Sequence, residues 1–238
     1  MPAPDDLPIG DRYQQTTKYH RSQGKGPGPG KAEPTRRAIQ LPAAQAKGGD
    51  GLWGVIEVRR SVRDFRPDAL SLDQLSQLLW ATQGITARRR GFAFRAAPSA
   101  GACYPLDTYL VVNRVEGLDP GLYRHHVANA ALEQLRAGDL SRAIAAACLD
   151  QEMAAEAAVV FAWVAEPARS KPRYHERAYR YIYMDAGHIG QSLHLAATAL
   201  GLGCCAIGAF FDDEVNAILG TDGLHETAVY LSVVGVPV

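Results

Sequence analysis

Excess charge of either sign is missing from this chain. Lysine and arginine total 25, aspartate and glutamate total 25, and the formal net charge over 238 residues is zero. The broad positive field of a nucleic-acid or membrane-surface binder is therefore not expected, and any anion site must be local. Long apolar runs are missing too: residues 157–165 form one of the longest, far too short to cross a bilayer. The opening MPAPDDLPIGD has neither the basic nor the apolar segment of a secretion signal. A cytoplasmic protein with no nucleic-acid and no membrane partner is expected. Cysteine is scarce. Cys103, Cys148, Cys204 and Cys205 show no CxxC spacing, and adjacent Cys204 and Cys205 do not readily pair, which argues against a zinc site and a disulfide framework and leaves buried structural thiols. There is no HExxH, GxSxG, Walker A or GxGxxG, so the hydrolase, nucleoside-triphosphate and dinucleotide classes these signal find no support.

What is present, 47% hydrophobic and 21% charged residues, suits one compact domain. Residues 1–50 read as an extended arm or linker, because GKGPGPGK, KAEPTRR and KGGD leave little besides Ile39 and Leu41 to bury. The domain proper is expected over 51–238. Leu52, Val55, Ile56 and Arg59 fall on one face of a short helix that ends before Pro67. Ser71 and Gln74 form a capping box for a second helix striped by Leu72, Leu75, Leu78 and Leu79 and stopped by a left-handed Gly84. Strands are expected at 108–112 and 157–164, with a hairpin from Gly121 through Asn129 into ALEQLR. Asp139 caps a helix reaching Cys148, a long helix spans 174–200 and ends at Gly201, and strand 204–210, a helix capped by Asp212 and strand 227–236 close the chain. Irregular interleaving without a repeat points to an α+β fold around a central mixed sheet.

Three loops and one helix could carry chemistry. In RRSVR, Arg59, Ser61 and Arg63 occur at period two; if extended, two guanidinium forks and a hydroxyl converge on one side, as a phosphate monoester needs, with Arg60 pointing elsewhere. An equally weighted alternative is a solvated helix end. Pro98-Ser99-Ala100-Gly101 is a small-residue loop whose amides can approach a flat ligand, although a plain turn also explains it. Ala206-Ile207-Gly208 leaves a strand with glycine in its middle, which also fits a bulge. Arg173 and Tyr174 open the long helix. Glu176 and Arg180 form an i,i+4 pair, while Asp185 and His188, one turn apart, suit a buried, hydrogen-bonded His188 better than a metal site.

Together these stretches resemble the SagB-type dehydrogenase branch of the FMN-dependent nitroreductase family. The resemblance rests on RRSVRDF at 59–65, ALSLDQLSQLLWATQGI at 69–85, PSAGACYPLDTYLVV at 98–112, GLYRH at 121–125, RYHERAYRYIYMDAGHIGQSLHLAATALGLG at 173–203 and AIGAF at 206–210. TTKYHR near the start and LP at 41–42 are also similar to that family's lead-in. The resemblance implies a nitroreductase-like fold, a mostly antiparallel sheet flanked by helices, in an obligate homodimer with FMN at each subunit interface. Arg59, Ser61 and Arg63, with Arg60 in the same stretch, would hold its phosphate and polar ring edge. Pro98, Ser99, Ala100 and Gly101 would come from the partner chain, Ala206, Ile207 and Gly208 would line the ring near N5, and Asp185 would face the cofactor.

Members of this branch that oxidise azolines to azoles carry a Lys-Tyr pair where this chain has Arg173 and Tyr174. Arginine does not act as a base, so Tyr174 is the candidate acid/base and Arg173 an orienting cation. The family's further basic phosphate contact has no counterpart in VVGVPV, and Lys18, Arg21 or Arg36 could replace it. The implied activity is dehydrogenation of a small heterocyclic or amino-acid-derived substrate, free, carrier-linked or peptide-linked. A nitro or quinone reductase fed by NAD(P)H, and a non-catalytic scaffold subunit, are the alternatives.

Overall fold

The computed structural model describes residues 7–18, 37–45, 48–49, 51–89 and 91–238. The nine strands among them are β1 (Arg37–Gln40), β2 (Ile85–Arg89), β3 (Phe92–Arg95), β4 (Leu106–Val112), β5 (Gly121–His126), β6 (Ala131–Ala137), β7 (Val159–Ala165), β8 (Gly203–Ile207) and β9 (Thr227–Gly235). Seven of them form one sheet in the order β1-β6-β5-β4-β7-β9-β8, and every strand pair in it is antiparallel. Parallel pairing among the described residues is confined to two isolated bridges, Ser61 with Cys204 and Leu70 with Val115. β4 and β7 lie at the centre, and their continuous Val, Leu, Ala and aromatic runs are buried on both faces.

The helices are α1 (Ile9–Thr16), α2 (Leu52–Val58), α3 (Leu72–Gln83), α4 (Ser141–Ala147), α5 (Met153–Glu156), α6 (Lys171–Tyr174), α7 (Ala178–Ala199) and α8 (Asp212–Leu219). On one face of the sheet Leu75, Leu78 and Leu79 of α3 and Ile182, Ile189 and Leu193 of α7 pack on Leu110, Phe161 and Trp163. On the other, Ile144 of α4 and Val215, Ile218 and Leu219 of α8 pack on Val111, Val160 and Val233. Leu75, Leu78 and Leu79 are completely buried, each contributing about 1.5–3 kcal/mol. The result is the α+β arrangement, a mostly antiparallel sheet flanked by helices, expected from the sequence.

Several local expectations need correction. The Ser71–Gln74 capping box forms in both directions, but Gly84 has φ −59°, not a left-handed conformation. Glycine is needed there because a Cβ would collide with Trp80. The long helix is broken: α6 ends at Tyr174, His175 takes φ +51°, and a 3-10 turn precedes α7, which does stop at left-handed Gly201. That turn takes Glu176 away from Arg180; its carboxylate accepts from the Gly10 N–H at 2.9 Å and lies 3.6 Å from Lys171 Nζ. His188 is exposed, whereas His125 and His194 are buried. Asp212 is the first residue of α8, and Phe211 holds the cap position. β8 ends at Ile207, short of 210. Ile85–Arg89 and Phe92–Arg95, where no strand was expected, pair antiparallel as β2 and β3. Residues 1–50 are not extended throughout, since 9–16 are helical and 37–40 pair as β1 with β6. Lys18 pairs with Asp213 at 2.6 Å, while Arg21 and Arg36 lie outside the described residues.

Candidate functional site

The RRSVR stretch is extended and runs beside β8, the sheet's edge. The Val62 N–H donates to the Cys204 carbonyl at 3.0 Å, and Phe65 bridges to Pro237, so the segment is held at both ends. Arg59 and Arg63 therefore sit at period two along an anchored strand. Neither has an acidic partner among the described residues; Arg63 reaches only the Ser61 carbonyl, at 3.4 Å. Arg59 lies near His194, whose burial lowers its pKa with Arg59 adding to the effect, and whose Nδ1 has no hydrogen-bond partner. Arg60 does not join them: its guanidinium donates to the Glu57 and Arg59 carbonyls at 2.9 and 2.8 Å and closes the end of α2. Two uncommitted guanidiniums around an exposed Ser61 fit a phosphate. Farther along the same edge, Ala206 and Ile207 end β8, and Gly208 is exposed with open space where a Cβ would project, leaving its backbone free to meet a flat ring.

The second group sits across α7. Asp185, 4% exposed, accepts from the Ser99 hydroxyl at 2.6 Å and from the Ala100 N–H at 3.2 Å. Ser99 Oγ in turn accepts from the Tyr104 N–H at 2.9 Å. Burial raises the Asp185 pKa despite these bonds. The anchor is needed, because Gly101, Ala102 and Tyr104 all have positive φ (60°, 53° and 47°) and such a loop is strained without support. Gly101 packs against the candidate pair: an added Cβ would lie 2.5 Å from the Tyr174 hydroxyl oxygen and 3.1 Å from Arg173 Nε. Arg173 lies 5.6 Å from the Tyr174 ring, and Tyr174 packs on Tyr181 at 4.7 Å between centroids. Asp185 thus anchors the Ser99–Ala100 end of the loop whose Gly101 lies against Tyr174, a role its sequence position did not reveal.

The two groups do not meet within one chain. Asp185 and His194 are nine residues apart on α7, about 14 Å along the axis, and lie on opposite flanks of the helix. The ridge between the flanks presents Met184, Gly187, His188 and Gln191, all exposed. Further apolar surface stands open on α2, where Leu52, Trp53 and Ile56 are 55%, 80% and 47% exposed; of the face expected to pack inward only Val55 does. Larger cavities lie elsewhere. One of about 590 Å³ lies beside Asp11, Lys171 and His225, and one of about 480 Å³ lies between Pro42, Trp80 and Asn129. Neither is lined by a candidate residue. Among the described residues no group of three His, Cys, Asp or Glu could hold a metal, and no helix is long and apolar enough to cross a membrane.

Comparison with known proteins bears on the family and the fold. The model of the nitroreductase family matches residues 56–236. A Methanocaldococcus jannaschii protein described as a nitroreductase is 37% identical over 71% of this chain and 83% of its own. Two Rhizobium leguminosarum bv. trifolii proteins also match: the trifolitoxin operon protein TfxC, 28% identical over 78% of this chain, and the trifolitoxin-processing protein TfxB, 30% identical over 71%. The chain spans about half the length of these two, 54% and 48%. Among solved structures, a Ralstonia eutropha JMP134 protein (TM-score 0.76, 27% identity, 92% of this chain and 98% of the other) and one from Anabaena variabilis ATCC 29413 (TM-score 0.75, 29%, 95% and 47%) share the fold.

Proposed function

Because this chain belongs to the nitroreductase family, whose members are typically flavin-dependent oxidoreductases, we propose that it is an FMN-dependent dehydrogenase built as a homodimer. The observation that carries this reading is the division of one site into two halves on opposite flanks of α7. A twofold contact through the exposed 184–191 ridge would set the Arg59–Arg63 stretch and Gly208 loop of one chain against the Pro98–Gly101 loop and Tyr174 of the other. Arg59 and Arg63 would hold the phosphate, with Ser61 beside it, and the backbone at Ala206, Ile207 and Gly208 would face the ring.

FMN, when bound, would supply the two-electron redox chemistry, with oxygen or another acceptor as the final oxidant. The chain's own groups do the rest. Tyr174 relays the proton that leaves the substrate with the hydride, so that the substrate loses two hydrogens in all, and Arg173 orients a carbonyl or steadies a developing anion. The substrate class we favour is an azoline in a peptide or carrier-linked intermediate, oxidised to an azole; the 30% and 28% identity to the trifolitoxin proteins supports it.

The test is spectroscopic. The purified protein reconstituted with FMN should show bands near about 370 and 450 nm, and a synthetic thiazoline peptide should bleach the longer one without oxygen. If the thiazoline leaves the band intact while NADPH bleaches it and nitroarenes restore it, the protein is a nitro or quinone reductase, the reading favoured by its 37% identity to the M. jannaschii relative and by Arg173. A chain that takes up no flavin is a scaffold subunit.

A further inference from the structure

Helix α1 lies before the matched stretch 56–236, yet it is fastened to the domain at both ends. At one end Asp11 accepts from Lys171 Nζ at 2.7 and 2.8 Å and from the Tyr179 hydroxyl, and Glu176 accepts from the Gly10 N–H. At the other end Gln15 donates to the Gly223 carbonyl at 3.0 Å and Lys18 to Asp213. In between, the Tyr183 hydroxyl donates to Gln14 Oε1. Gly10 admits the Tyr179 ring, which any Cβ would strike.

This fastening holds α1 over the loop that follows β8. A cavity of about 250 Å³ opens there, lined by Tyr13 and Gln14 of α1, Tyr183 of α7, Gly208, Phe210 and Asp212. The rings of Tyr13 and Tyr183 stand 6.1 Å apart at 59°, and Tyr13 remains 56% exposed although its helix is pinned. An exposed aromatic on an immobilised helix is a contact surface whose ordering cost is already met by the fold. The volume falls below the range of about 300–1,000 Å³ typical of sites for drug-sized ligands, which selects one or two rings over a dinucleotide. Among the described residues no lysine or arginine lines the cavity, so an anion finds no charged partner on its walls.

We propose that α1 forms the substrate-side wall of the cofactor site, with Tyr13 and Tyr183 receiving a neutral, flat one- or two-ring heterocycle next to Gly208. The inference rests on the assignment of Gly208 to the flavin cradle, and it adds a specificity element from outside the matched region.

The test titrates the FMN-loaded full chain with neutral 2-phenylthiazole and follows the flavin difference spectrum. Tyr13→Ala should raise the dissociation constant about tenfold, the weight of one lost aromatic face, with flavin content unchanged. Tyr13→Phe, which keeps the ring, should bind like the parent. Because Tyr13 is exposed, neither substitution threatens the fold. Equal affinity in Tyr13→Ala, or no spectral response in a fully loaded parent, overturns this inference alone; a parent protein that stays colourless overturns the flavin assignment and this inference with it.

Discussion

Replacing Asp185 with alanine tests the loop anchor directly. The carboxylate is 4% exposed and accepts two hydrogen bonds, from Ser99 at 2.6 Å and Ala100 at 3.2 Å. Bonds to a charged acceptor are worth about 1.5–3 kcal/mol each. Against them stands the cost of burying the charge, visible as the raised pKa. The net loss in Asp185→Ala should be about 2–3 kcal/mol, with Tm lowered by roughly 5–10 °C for a chain of this size. Asparagine keeps an acceptor and removes the buried charge, so Asp185→Asn should lose less than about 1 kcal/mol. The sign of the pH effect follows from the direction of the shift. The folded state keeps the Asp185 proton at a pH where the unfolded chain has lost it, so this residue's contribution falls as pH rises from the ordinary carboxylate range through the raised value, then levels off. Asp185→Asn should remove that component. Calorimetry together with flavin release on heating would measure both effects. An alanine variant with the parent's Tm and flavin content, or an asparagine variant less stable than the alanine one, would refute the anchor.

Three further outcomes are expected. The Arg59→Ala, Arg63→Ala double variant should lose flavin at least about a hundredfold more readily, since two charge-assisted phosphate contacts are gone, while its unfolding midpoint stays near the parent's; absorbance after gel filtration checks this. Gly101→Ala forces a side chain onto φ +60° and into Tyr174; it should cost about 1–2 kcal/mol and slow turnover more than it lowers flavin content, as steady-state kinetics on loaded protein would show. His125 is buried, which with Arg95 and His126 lowers its pKa to about 4. Its contribution is complete above the unfolded value and lost as pH falls from about 6.5 to 4, a change of roughly 3 kcal/mol; urea midpoints at pH 7 and pH 5 should converge in His125→Leu.

The parts of the fold legible in the sequence are those set by neighbours along the chain. Ser71 and Gln74 announce α3, the β-branched and aromatic runs announce β4 and β7, and Gly121 with Asn129 announces the hairpin. The break at His175 was not legible, because the apolar periodicity continues across it. Glu176 and Lys171, which would suit a continuous helix, are instead engaged by Gly10 and Asp11, more than 150 positions away. The β2–β3 hairpin was hidden by its arginines. In the candidate site the period-two spacing of Arg59, Ser61 and Arg63 was readable, since an extended chain needs no tertiary information to set it. The same period also turned Arg60 away from the other two, although it did not show where its guanidinium goes. Two features were not legible: the Asp185–Ser99 pairing across 86 positions and the position of α1 over Gly208.

Because α7 is one uninterrupted rod with the loop anchor on one flank and the arginine strand on the other, damage to either flank within the proposed pair of chains is confined to a different compartment. As pure preparations, a subunit lacking Asp185 should be short of flavin and slow in turnover, and a subunit lacking both arginines should be nearly colourless. Refolded together, they would pool both lesions in one compartment and leave the opposite one whole, so the mixture should be yellower and turn over faster than either preparation alone.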